Sequence, residues 1–87
     1  MRSVLITGAS GGIGRAAARL FAGQGYAVAV HCHRSRDSAE ALVQELQASG
    51  SNAILVEADV SNDGEVLQMV RQTEAAFGEI SVFIHNA

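Results

Sequence analysis

The stretch Thr7-Gly8-Ala9-Ser10-Gly11-Gly12-Ile13-Gly14 stands between the apolar run Val4-Leu5-Ile6 and a segment with helical periodicity. Glycines crowd a strand-to-helix turn when the backbone bends sharply, when a ligand approaches main-chain N–H groups, or when helix and strand pack closely. The helix that follows opens with unpaired N–H donors and a partial positive charge, so a pyrophosphate is the natural ligand of such a turn. A glycine loop by itself is weak evidence. Set between its strand and its helix, it becomes specific.

From this loop onward the chain alternates strand and helix. Ser3–Thr7 reads as a buried strand. Gly12–Gln24 carries Ala16, Ala17, Leu20 and Phe21 at helical spacing, with Gly25 as terminator. Ala27–Cys32 is a second strand, apolar enough for a sheet covered on both faces. Ser38 is placed to cap a second helix that presents Ala39, Leu42, Val43 and Leu46 and stops near Gly50. Asn52–Glu57 is a third strand. A third helix, Asp63–Phe77, has Val66, Leu67, Val70 and Phe77 on its buried side and Gly78 at its end, and Ile80–His85 is a fourth strand. The expected fold is a three-layer α/β structure, a doubly wound parallel sheet built β-α-β-α-β-α-β with strand order 3-2-1-4. Its fourth strand lies beside the first, and the crevice between them is where such sheets bind ligands.

Composition narrows the function. The 87 residues amount to one domain at most, and 48% hydrophobic residues with no proline argue against disorder. A net charge of −3 without a basic stripe argues against nucleic acid. The single cysteine, Cys32, excludes an internal disulfide and suits a reducing, cytoplasmic setting. Val4-Leu5-Ile6 is too short for a signal peptide or a membrane span. His31 and His33 alternate onto one strand face, but two imidazoles without a third ligand make a poor zinc site, and no metal is expected. Cys32 reads as a packing residue, since nothing in sequence marks an activating partner.

The pattern Thr7-Gly8-x-x-x-Gly12-x-Gly14 resembles the short-chain dehydrogenase/reductase family, whose fold is Rossmann-like. Asp59-Val60, Phe77-Gly78-Glu79-Ile80 and His85-Asn86-Ala87 continue the resemblance in order along the chain. Val30-His31-Cys32-His33-Arg34-Ser35 is most similar to reductases of the β-ketoacyl-acyl-carrier-protein type. The family often has asparagine where His85 stands and aspartate where Ser81 stands. Gly11 also lets the loop fit the extended, epimerase-like branch, whereas Gly12 and Asn86-Ala87 favour the single-domain reductases.

The resemblance implies a nicotinamide dinucleotide as cofactor. Gly8, Gly12 and Gly14 would form the loop under its pyrophosphate, with Ser10 and Ile13 against its adenosine ribose and phosphates. Asp59 and Val60 would meet the adenine; Asp59 could instead cap a turn before the third helix, but Val60 beside it favours the adenine reading. Asn86 and Ala87 would lie near the ribose, and Thr7 is read as structural. NAD enzymes place an acidic residue about 20 residues after the loop to hold the ribose 2′-hydroxyl. Cys32 occupies that position, followed by His33, Arg34 and Ser35, so no carboxylate repels a 2′-phosphate and a guanidinium stands ready for one. NADP is therefore expected rather than NAD.

The family's chemistry uses a tyrosine with a lysine four residues on. The only tyrosine is Tyr26, and all six basic residues are arginine. The lysine lowers the tyrosine's pKa toward working pH, so no catalytic residue is assigned within these 87 residues. The chain is expected to be the N-terminal portion of a single NAD(P)-binding domain, inactive alone. It would belong to a homo-oligomeric oxidoreductase acting on a small-molecule or acyl-carrier-linked carbonyl, with no membrane partner.

Overall fold

The computed structural model describes residues 1–9 and 11–86. Its elements alternate as β1 (Ser3–Thr7), α1 (Gly12–Gly23), β2 (Ala27–Cys32), α2 (Arg36–Ala48), β3 (Ala53–Glu57), α3 (Asp63–Phe77) and β4 (Val82–His85). The strands form one parallel sheet in the order β3-β2-β1-β4, as expected.

Alternation along each strand sends neighbouring side chains to opposite faces. Val4, Ile6, Val28, Val30 and Cys32 pack with Ala18 of α1 and with Ala39, Leu42, Val43 and Leu46 of α2. Leu5, Ala29 and Val56 turn the other way, against Met69 of α3. Helices therefore cover both faces, which is why every residue of β1 and β2 is buried.

Several boundaries and faces differ from the sequence reading. The cap position of α2 is Ser35, and Ser38 lies inside the helix; Asp37 then falls in the first turn, where a carboxylate suits the positive helix end. α1 ends at Gly23, with Gln24 as its cap residue. β3 begins at Ala53, although the Asn52 carbonyl already accepts from Val28 N–H at 2.8 Å. β4 begins at Val82 because Ile80 is drawn into the α3 cluster, while Ser81 Oγ accepts from Ser3 N–H at 3.1 Å. On α1 the buried stripe runs through Gly14 and Ala18, leaving Ala16 and Leu20 exposed. On α3 it runs through Val66, Met69, Val70, Thr73 and Phe77, with Leu67 exposed.

Candidate functional site

Because the sheet is parallel, the loops after β1, β2 and β3 and the end of β4 all emerge at one edge. Gly8 is their hub. Its φ of 64° lies in the left-handed region that favours glycine. Its carbonyl accepts from Gly11 N–H at 3.2 Å and from Asn86 Nδ2 at 3.3 Å. Its N–H donates to His31 Nδ1 at 3.0 Å. With both main-chain groups engaged, Gly8 shapes the loop and leaves the anion-facing donors to the next turn.

That turn opens α1. Gly11 is its cap residue and offers no side-chain cap, so the amides of Gly12, Ile13 and Gly14 have no partner within the helix. A Cβ on Gly12 would meet nothing within 4 Å among the described residues, and Ile13 is 77% exposed. Gly14 is different. A Cβ there would lie 2.5 Å from the Gly8 carbonyl oxygen and 2.6 Å from Ala9 Cα. Gly14 thus lets α1 close onto the loop, while Gly12 leaves open the surface beside the first α1 amides, which have no side-chain cap among the described residues.

At the end of β2, His31 is buried, and its Nε2 lies 2.7 Å from the Ala58 carbonyl. Since Nδ1 accepts from Gly8, the ring proton is on Nε2 and is donated to Ala58. The ring is therefore shielded from solvent, with both nitrogens engaged by the backbone. Cys32 is also buried, and burial, with a smaller contribution from Glu57, pushes its thiol above the ordinary value of 9.0. That is a packing cysteine. His33, Arg34 and Ser35 are exposed, and among the described residues no ion pair engages Arg34. No three His, Cys, Asp or Glu side chains among the described residues are grouped to hold a metal ion.

Asp59 takes part in a turn and still faces the site. Its Oδ1 accepts from Ser61 N–H at 2.9 Å and Ser61 Oγ at 2.6 Å, while Oδ2 lies 3.9 Å from His33 Nε2. The Ser61 hydrogen bonds, with smaller help from His33 and Arg34, hold its carboxyl below the usual range, so it is anionic at neutral pH. Val60 beside it is exposed. At the end of β4, Thr7 Oγ1 accepts from Asn86 N–H at 3.0 Å and lies 3.0 Å from His85 Nδ1. Asn86 is thus fixed against both Thr7 and Gly8, and His85 joins the same network.

The fold brings Gly8, Gly12, Ile13, Gly14, His33, Arg34, Ser35, Asp59, Val60 and Asn86 to one edge of the sheet. Ser10 and Ala87 lie outside the described residues. His31 is the residue whose part sequence reasoning missed. Its position at the strand end was visible, but its two partners are 23 and 27 residues away.

No helix among the described residues is long and apolar enough to cross a membrane. The family model described as short chain dehydrogenase matches residues 2–87. The 3-oxoacyl-[acyl-carrier-protein] reductase FabG of Staphylococcus epidermidis is 42% identical over 86 residues, covering 99% of this chain and 35% of that protein. The chain thus spans about a third of the length of such relatives. The short-chain dehydrogenase/reductase homolog YusS of Bacillus subtilis is 36% identical over 83 residues, covering 95% of this chain and 76% of that protein. Among solved structures, FolM alternative dihydrofolate reductase 1 from Brucella canis, complexed with NADP, superposes with a TM-score of 0.91 at 38% identity. That superposition covers 99% of this chain and 34% of the FolM chain. A dehydrogenase/reductase from Sinorhizobium meliloti, matched over the same shares, gives 0.94 at 31% identity. With the glycine turn, the parallel sheet and a family match over nearly every residue in agreement, the chain belongs to the short-chain dehydrogenase family.

Proposed function

We propose that these residues form the cofactor-binding part of an NADP-dependent oxidoreductase that reduces a carbonyl, with a 3-oxoacyl thioester as its substrate. The end of β2 carries this reading. Cys32, not a carboxylate, stands at the strand-end position from which an acidic residue would hold a ribose 2′-hydroxyl, and Arg34 and Ser35 are exposed just after it. The site fits the cofactor on other counts. The opening of α1 offers amides with no side-chain cap among the described residues next to the bare face of Gly12, a cradle that a side chain would fill.

In this reading Gly12 and Gly14 let the pyrophosphate reach the first amides of α1, joined by Ser10, while Ile13 and Val60 offer apolar surface to the nucleosides. Arg34 and Ser35, with His33, take the 2′-phosphate. Asp59 accepts from the adenine amino group through the oxygen not used in its turn. Asn86 and Ala87 line the ribose side. NADPH, when bound, supplies the hydride. The residues that protonate the carbonyl oxygen are expected outside this segment, which has neither lysine nor a suitably spaced tyrosine.

The test is the ratio of kcat/KM for NADPH and NADH in the full-length protein and in Arg34→Ala. Loss of a charge-assisted contact should weaken NADPH use by about 1.5–3 kcal/mol and leave NADH nearly unchanged. A wild type that prefers NADH, or an equal loss with both cofactors, refutes the 2′-phosphate assignment. A 3-oxoacyl thioester and dihydrofolate should be assayed side by side, because the NADP-bound neighbours are named for the latter. Turnover of dihydrofolate alone would reassign the substrate. A second reading, a nucleotide-binding module without catalysis, is favoured by YusS, three-quarters of which this chain spans. Cofactor binding without turnover of any carbonyl would select it.

A further inference from the structure

We propose that His31 is a positioning residue for the dinucleotide site, its ring acting as a spacer between the loop after β1 and the loop after β3. The inference rests on the cofactor reading given above. Three observations carry it. The ring is 2% exposed, and both of its nitrogens are used, toward Gly8 N–H at 3.0 Å and the Ala58 carbonyl at 2.7 Å. Its partners belong to two segments that the site needs at a fixed separation, the glycine turn and Ala58-Asp59-Val60. The Gly8 bond engages the very peptide whose left-handed φ starts the turn.

The other ties do not replace it. Ala58 N–H donates to Cys32 O at 3.1 Å, which holds the β3 end to β2 but not to the glycine turn. Asn86 holds Gly8 from the β4 side. Only His31, among the described residues, links the glycine turn to the Ala58 segment by hydrogen bonds. An apolar ring of similar size would strand a half-buried N–H at Gly8 and a buried carbonyl at Ala58, and both loops would shift to find water.

The arrangement also fixes the tautomer. Gly8 can donate only to an unprotonated Nδ1, so the proton sits on Nε2. Asparagine in place of His31 keeps an acceptor near the Nδ1 position, and glutamine keeps a donor near Nε2. The two amides therefore test the two bonds separately.

The experiment uses the full-length protein with NADPH and NADH as probes. In 15N-labelled wild type, a through-hydrogen-bond coupling between the Gly8 amide nitrogen and His31 Nδ1 is expected, with the proton on Nε2. By calorimetry, His31→Phe should weaken both cofactors by the same factor, roughly tenfold for the stranded N–H and carbonyl. The kcat at saturating cofactor should stay near wild type. His31→Asn and His31→Gln should each recover part of the loss. Equal loss with both cofactors separates His31 from the 2′-phosphate contact of Arg34. Absence of the coupling, or a His31→Phe variant with wild-type affinities, overturns the proposal. So does a fall in kcat with affinity unchanged. Should His31→Phe fail to fold, the coupling and the two amide variants decide, and amide variants that bind like wild type would overturn it. If the wild type binds neither cofactor, the underlying cofactor reading fails and the spacer role fails with it.

Discussion

At the scale of single residues, the glycine turn separates two demands that a sequence pattern merges. Gly14 and Gly12 look alike in the motif, yet a Cβ on Gly14 would collide with the Gly8 carbonyl and Ala9, while one on Gly12 meets open space. Gly14→Ala should therefore destabilise the fold by about 1–3 kcal/mol, the usual cost of overpacking. Gly12→Ala should leave stability unchanged or raise it by up to about 1 kcal/mol, since alanine is the better helix former. It should nevertheless weaken the cofactor, because its methyl group occupies the approach to the α1 amides. Urea midpoints and NADPH titration on the two variants check the split. Equal destabilisation by both would mean that the turn is tight throughout. The candidacy of the glycines, Arg34 and Asp59 was legible in sequence because residue type and local order single them out. The spacer role of His31 was not, since it depends on which backbone groups the fold carries to its nitrogens.

At the scale of elements, every strand and helix was legible, and the errors lay in their ends and faces. The α3 pattern shows why. Val66, Leu67, Val70 and Phe77 make an acceptable apolar stripe on a helical wheel, but the sheet selects Val66, Met69, Val70, Thr73 and Phe77. Thr73 could be admitted because its hydroxyl donates to the Met69 carbonyl at 3.0 Å within the helix, which removes the cost of burying it. Local hydrophobicity cannot rank Leu67 below threonine; tertiary contact does. Two substitutions measure the difference. Met69 is 1% exposed, and Met69→Ala should cost about 2–5 kcal/mol of stability. Leu67 is 50% exposed, and Leu67→Ala should change stability by less than about 0.5 kcal/mol. The reverse ranking in denaturant melts would place the helix in the other rotational setting.

At the scale of the whole molecule, the parallel sheet gives the chain a chemical polarity. Every candidate cofactor residue among the described residues lies at the carboxyl edge of the strands. The only tyrosine sits at the opposite edge, just before β2, where Tyr26 makes an edge-on contact with Phe21 at 4.9 Å and takes the Arg2 guanidinium 4.8 Å from its ring centre. Such contacts suit a structural clasp between the start of β1 and the end of α1. They also put the phenol out of reach of anything bound at the glycine turn, and the chain has no lysine to lower a tyrosine's pKa. A polypeptide of these 87 residues alone should therefore leave NADPH unoxidised in the presence of a 3-oxoacyl thioester, as followed by nicotinamide absorbance. In the full-length protein, Tyr26→Phe should keep the Phe21 and Arg2 contacts and kcat, because the ring rather than the hydroxyl makes the clasp. Turnover by the 87-residue polypeptide, abolished by Tyr26→Phe, would overturn this division of the sheet into a binding edge and a structural edge.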